Sequence, residues 1–162
     1  MFRFFSLPLH LHNKNVNVKS KTEPRCIVAE RVAGVLLLVA GGLIYLLFRP
    51  RVLLMFLVAD SMNAGGLVDC LRHMAADTTM PAFVVYSLPA GLWAASYVLI
   101  ADSFTRTQPT AGRLLATAIV PALGLALEMM QWAGLLPGTA DIADAVCYTV
   151  PYLVYLLTKK TK

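Results

Sequence analysis

Several apolar runs in this chain are long enough to cross a lipid bilayer. Residues 32–48 carry no charge and form about 25 Å of helix, and residues 114–136 carry only the charge of Glu128. The whole chain is 58% hydrophobic and 14% charged, whereas soluble domains are typically about 45–50% apolar and about 25% charged. These features predict a small integral membrane protein rather than a soluble domain.

The hydrophobic pattern predicts an all-α, four-span transmembrane helix bundle. We expect a polar basic tail over residues 1–25, the bundle over residues 26–158 and a basic tail over residues 159–162. The spans are expected at about residues 27–48, 82–101, 114–136 and 142–158. Within residues 52–71, the apolar run covers only residues 52–59 and is too short to cross the membrane. This pattern predicts a short interfacial or re-entrant helix after the first span. The first span is expected to act as its own uncleaved signal.

Lysine and arginine positions predict the orientation of the bundle. With four spans, ten of these residues flank one side and three flank the other. A fifth span over residues 52–71 would leave six against seven, which is no bias. The positive-inside rule therefore favours four spans with both termini in the cytoplasm. The same placement argues that the net charge of +5 does not indicate nucleic-acid binding.

Glu128 is the leading candidate for a functional residue. A charged side chain at membrane depth costs roughly 2.5–3.5 kcal/mol, so it usually meets a polar partner inside the bundle. Gln131 follows at helical spacing, and the turn after the helix contains Asp141 and Asp144. If the helix runs to Leu136, Glu128 lies about 12 Å below its end. The sequence predicts a polar track from the outer surface toward mid-membrane.

The spacing of small and polar residues in the third span predicts which side of this helix faces protein. Small or polar residues recur every three or four positions and should face protein, namely Thr117, Pro121, Gly124, Glu128 and Gln131, with Leu135 the one bulky member. Bulky residues on the other faces should contact lipid: Ile119, Leu123, Leu127 and Met130.

Two sequence elements resemble the VanZ-like family of small bacterial membrane proteins. Residues 128–131 and 137–144 are similar to its Glu-x-x-Gln and Pro-Gly-x-x-Asp-x-x-Asp signature, and residues 88–93 resemble its Leu-Pro-Asp-x-Leu-Trp element. Thr139 stands where members often have arginine, and Ala90 replaces the aspartate. An Asn and a Gly of the family's last span are also replaced, at Cys147, Tyr148 and Pro151.

The resemblance implies a multi-pass protein of the bacterial cytoplasmic membrane. It further implies a cell-envelope role of the low-level glycopeptide resistance type, associated with teicoplanin-like antibiotics. We therefore expect an outward-facing ligand site formed by Glu128, Gln131, Asp141 and Asp144, with Tyr86 and Trp93 as possible walls. The expected partners are membrane lipid and either a lipid-linked envelope intermediate or a glycopeptide.

Other interpretations stay open at this point. A small oligomeric transporter or proton-coupled element also uses an intramembrane carboxylate, and a homo-oligomer would supply the extra spans. Glu128 can also be a structural clasp that bonds Ser96, Tyr97 or Tyr86, and the two aspartates can simply begin a helix. The sequence argues against an enzyme, because it contains no catalytic constellation. No cofactor or metal site is predicted; three scattered cysteines lack metal-ligand spacing.

Overall fold

The computed structural model describes residues 24–51 and 54–160 of the chain. Within these ranges the protein is all-α, with no strand. The helices are α1 (Pro24–Phe48), α2 (Leu54–Ser61), α3 (Gly65–Met74), α4 (Ala82–Tyr86), α5 (Leu88–Phe104), α6 (Thr110–Trp132) and α7 (Ile142–Lys160). The prediction of an all-α bundle is confirmed for the described residues, and the predicted N-terminal tail lies mostly outside them.

The four long helices pack so that α1 and α6 run in one direction and α5 and α7 in the other. At one end, Arg31 near the start of α1 bonds Ser103 near the end of α5. Asp102 of α5 also accepts bonds there from the start of α6 and the end of α7. We call this the basic end. At the opposite, acidic end, Glu128 of α6 meets Asp141 before α7.

Helix α6 begins and ends four residues earlier than the sequence predicted. It ends at Trp132 because Gly134 adopts a positive φ of 71°, which glycine tolerates well. The Gly134 amide donates to the Gln131 carbonyl, and the Leu135 amide donates to the Met130 carbonyl. These two bonds form a Schellman motif. As a result Glu128 lies one turn, about 6 Å, from the helix end rather than about 12 Å.

The second predicted span is divided into two helices. Helix α4 ends at Tyr86, and α5 begins at Leu88 with Pro89 in its first turn. Proline lacks an amide hydrogen for a bond to an earlier carbonyl, so Pro89 fits the first turn of α5 and favours a break before it. Helix α5 extends to Phe104, three residues beyond the predicted boundary at 101.

Two short helices occupy the region where one interfacial or re-entrant helix was predicted. Arg51 forms ion pairs with Asp60 near the end of α2 and with Asp69 in α3. Arg72 of α3 donates to the carbonyls of Leu46 and Arg49 at 2.6 and 2.9 Å. Because helix C-termini leave carbonyls unsatisfied, Arg72 stabilises the end of α1 and fixes α3 beside it.

Small residues bring the long helices close together. A Cβ added at Gly34 would lie 2.6 Å from Ile100 of α5, and one at Gly41 would lie 2.6 Å from Trp93. A Cβ at Gly124 would collide with the Tyr148 ring of α7. Small residues at helix contacts are typical of packing in membranes, where van der Waals contact replaces the hydrophobic driving force.

Helix α6 shows the two faces that its sequence predicts. Thr117, Pro121 and Gly124 are buried, and Glu128 and Gln131 are half-buried. The four bulky residues predicted to face outward are exposed. Leu135 lies beyond the helix and is also exposed, so it does not extend the protein-facing side.

Among the described residues, two helices are long and apolar enough to cross a membrane, Cys26–Phe48 and Thr110–Trp132. Helix α5 is apolar but shorter. In the most apolar stretch of each helix, only 11% of the residues of Cys26–Phe48 and 17% of those of Thr110–Trp132 are buried. Large side chains such as Leu36, Leu115 and Leu123 are 58–72% exposed, so these helices present wide apolar surfaces outward.

Candidate functional site

Glu128 lies at the junction of α6 and α7. Its carboxylate oxygen Oε2 accepts a hydrogen bond of 3.0 Å from the backbone amide of Asp141, and the side chain is half-buried. A bond from an amide to an ionised acceptor is stronger than one between neutral groups. Glu128 therefore helps to hold the start of α7 against α6, while the rest of its carboxylate borders a groove.

Asp141 is the N-cap of α7. Its Oδ1 accepts a 2.8 Å hydrogen bond from the amide of Ala143, which satisfies one of the unpaired amides of the first turn. The prediction that Asp141 can begin a helix is confirmed by this geometry. Asp144 lies in the first turn of α7, where its negative charge is favoured by the helix dipole. Its Oδ1 is buried without a hydrogen-bond partner among the described residues.

Gln131 supports the turn between the two helices. The Gln131 side chain lies against Gly138. A Cβ added at Gly138 would lie 2.9 Å from the side-chain amide nitrogen of Gln131. Gly138 also has a φ of 134°, a conformation that side chains rarely permit. Gln131 and Gly138 together allow the turn to fold back over the end of α6.

A groove of about 580 Å³ opens between the end of α6 and the start of α7. Its walls combine apolar side chains with two acids, and they are formed by Leu125, Glu128, Met129, Trp132, Ala140, Asp141, Ile142 and Ala145. Trp132 is 84% exposed. Such a surface suits a ligand that carries both an apolar portion and a positive charge. Gln131 and Asp144 lie beside this groove but do not line it.

Tyr86 and Trp93 lie against α1 rather than in the groove. The Arg49 guanidinium lies 4.7 Å from the centre of the Tyr86 ring and donates to the Tyr86 carbonyl at 2.9 Å. The Trp93 ring packs on Tyr45 at 5.4 Å, and its indole nitrogen donates to the Leu38 carbonyl. The structure therefore brings the four predicted polar residues to one turn and places the two aromatic residues elsewhere.

Asp60 and Asp69 do not join Glu128. Both carboxylates pair with Arg51 in the α2–α3 region. These hydrogen bonds raise the pKa of Arg51 above its ordinary value. Across the described residues, no group of three or more His, Cys, Asp or Glu side chains is arranged to hold a metal ion.

Asp102 is the centre of a charged cluster that the sequence reasoning did not single out. Asp102 is only 4% exposed. Its carboxylate accepts from Arg113 and Tyr155 at 2.6 Å each and from Lys159 at 3.1 Å, and Arg106 lies 3.9 Å away. The local signal in the sequence was the spacing of four residues between Asp102 and Arg106.

Helix α1 extends the cluster at the basic end. Glu30 forms an ion pair with Arg106, and the hydrogen bond to Glu30 raises the pKa of Arg106, which stays charged. Arg31 bonds Ser103 at 3.1 Å and lies 4.3 Å from the centre of the Phe104 ring. Glu30 and Arg31 thus bind the loop after α5 and the end of α5 respectively.

Comparisons with known proteins give no assignment. No family model, curated protein or solved structure matches the chain.

Proposed function

We propose that the protein is a multi-pass protein of the bacterial cytoplasmic membrane. Helices α1, α6, α7 and the α4–α5 segment cross the bilayer, and both termini lie in the cytoplasm. The exposed apolar surfaces of α1 and α6 support this placement, because lipid covers such surfaces without penalty. The cluster of Arg31, Arg106, Arg113 and Lys159 at one end supports the orientation. The α2–α3 region then lies at the outer interface.

We further propose that its role belongs to the cell envelope and is of the VanZ-like, low-level glycopeptide resistance type. The observation that carries this proposal is the half-buried Glu128 carboxylate in an apolar groove at the acidic end. In the proposed orientation this groove opens at the outer leaflet. A glycopeptide, or a lipid-linked envelope intermediate with a cationic group, would place its charge at Glu128 and Asp141 and its apolar portion against Leu125, Met129 and Trp132.

The partial burial of Glu128 determines which ligands the groove should bind. A carboxylate that is partly removed from water attracts a cation more strongly than an exposed one. Apolar contact supplies affinity roughly in proportion to the area covered. Binding should therefore require both the negative charge of Glu128 and the apolar wall, and a neutral or purely polar compound should bind poorly.

Trp132 provides a direct binding assay. The chain contains two tryptophans, so a Trp93→Phe background leaves Trp132 as the fluorophore in the groove. Titration of the purified protein in neutral detergent with a teicoplanin-type glycopeptide should change its fluorescence saturably. Glu128→Gln should weaken the affinity about tenfold or more, as expected for loss of a charge-assisted bond of about 1.5–3 kcal/mol.

Asp77→Asn is the matched control, because it removes the same charge from an exposed residue that does not line the groove. Its titration should match that of the parent protein. In cells, a deletion strain should become more sensitive to the glycopeptide and should be restored by the parent gene and by Asp77→Asn, but not by Glu128→Gln. Equal affinity and equal restoration by the Glu128 and Asp77 variants would remove the proposed ligand role.

A proton-coupled or transport function is the second candidate, and one observation favours it. Tyr148, Tyr152 and Tyr155 share one face of α7 between the acidic end and Asp102. The hydroxyls of Tyr152 and Tyr155 bond the Leu114 carbonyl and Asp102 respectively. Proteoliposomes that contain the protein should then carry a proton flux that Tyr152→Phe reduces. Flux equal to that of empty vesicles would exclude this function.

A further inference from the structure

Among the described residues, the basic end of the bundle has more cationic than anionic side chains. Four cations, namely Arg31, Arg106, Arg113 and Lys159, surround two acids, Glu30 and Asp102. The Nε atoms of Arg106 and Arg113 are buried without hydrogen-bond partners among the described residues. The excess of positive charge indicates that this end can accept an anion.

A polar cavity of about 320 Å³ lies within this cluster. Its walls include Glu30, Asp102, Arg106, Arg113, Tyr155 and Lys159. An apolar groove of about 470 Å³ lies beside it between α6 and α7, lined by Thr110, Leu114, Leu153, Leu156, Leu157 and Lys159. Lys159 lines both spaces, so a basic group stands where the polar cavity meets the apolar groove.

We propose that the basic end binds an anionic phospholipid. Its phosphate lies beside Lys159 and Arg113, and an acyl chain lies in the groove along Leu114 and Leu153. Thr110 begins α6, so the positive end of this helix dipole also faces the phosphate region. A soluble anion would use the charges but would leave the apolar groove uncovered; a phospholipid matches both. Basic pockets between membrane helices on the cytoplasmic side are typical sites for anionic headgroups.

This inference rests on the proposed membrane placement, but it concerns the end of the bundle opposite to Glu128. Membrane placement is tested separately by extraction of cell membranes with alkaline carbonate. If the protein is released as a soluble species, both the placement and the lipid site fail. If it stays in the membrane and shows no lipid selectivity, only the lipid site fails.

The direct experiment is native mass spectrometry of the detergent-purified full chain with equimolar phosphatidylglycerol and phosphatidylcholine. The parent protein should retain phosphatidylglycerol preferentially. Lys159→Gln should lower this preference about fivefold, the effect of one basic residue near an anionic headgroup, and Lys159→Arg should keep it. Arg51→Gln removes one positive charge at the opposite end and should leave the preference unchanged.

A second variant separates lipid binding from the Asp102 ion pair. Leu153→Trp fills the apolar groove without removing a charge and should reduce retention of phosphatidylglycerol. Leu123→Trp is its matched control, since Leu123 is similarly exposed but lies outside the groove. Inorganic phosphate alone should not displace the lipid at millimolar concentration. Unchanged retention in both Lys159→Gln and Leu153→Trp, or full displacement by phosphate, would overturn the proposal.

Discussion

The carboxylate of Asp102 accepts a 2.6 Å hydrogen bond from the hydroxyl of Tyr155, 53 positions later in the chain. The same carboxylate accepts from Arg113 and Lys159, and Arg106 pairs with Glu30 of α1. One buried aspartate thus links α5, α6 and α7, and the neighbouring Arg106 extends the network to α1. The ends of all four long helices are held in one network of charges.

Removal of the Asp102 charge should therefore destabilise the bundle. Asp102→Asn leaves Arg113 and Lys159 without their shared anion, and breaking a buried ion pair in this way typically costs about 3–5 kcal/mol. Tyr155→Phe removes one hydrogen bond and should cost about 1 kcal/mol. Thermal unfolding in detergent measures both effects. Asp77→Asn should change stability by no more than about 0.5 kcal/mol, and a similarly small effect of Asp102→Asn would contradict the linking role.

Close packing of α6 on α7 should make Gly124 intolerant of a side chain. Gly124→Ala puts a methyl group into the Tyr148 ring, and overpacking of this kind typically costs about 1–3 kcal/mol. Gly42→Ala is the matched control, because a Cβ there meets nothing within 4 Å and alanine improves helix propensity. The melting temperature should fall for Gly124→Ala and stay equal or rise for Gly42→Ala. Equal shifts would show that the α6–α7 contact is looser than described.

Two substitutions at Asp141 should separate its capping role from its charge. Asp141→Asn keeps a side-chain oxygen for the Ala143 amide, so the stability of α7 should be nearly unchanged. Asp141→Ala loses the cap and should cost about 1 kcal/mol. Both variants remove the negative charge from the groove and should weaken glycopeptide binding in the Trp132 assay. If Asp141→Asn binds as well as the parent protein, Asp141 serves only as a cap.

The sequence predicted the helical class and the directions of the faces because both depend on local patterns. The burial of Thr117, Pro121 and Gly124 follows from their spacing on one helix. The end of α6 was missed because Gly134 lies inside a run that remains apolar through Leu136. A positive φ and a Schellman motif override hydropathy there.

Apart from the spacing of Asp102 and Arg106, the Asp102 cluster depends on contacts between different helices. From the sequence, Arg113 and Lys159 were interpreted as charges that set the membrane orientation. Their shared partner is Asp102, which they reach because the ends of α5, α6 and α7 lie together. Tyr86 and Trp93 were expected as walls of one site, but the break at Ser87 places the two residues in different helices. Gly41 provides the space that places Trp93 against α1.

In the proposed orientation the acidic end of the bundle faces outward and the basic end faces the cytoplasm. Thr139 and Thr107 provide a matched pair of exposed residues in the loops at these two ends. Each is replaced by cysteine in a background where Cys26, Cys70 and Cys147 are serine, and intact cells are treated with a membrane-impermeant maleimide. We predict that Thr139→Cys is labelled in intact cells and that Thr107→Cys is labelled only after permeabilisation. The reverse pattern, or equal labelling of both in intact cells, would exclude this orientation.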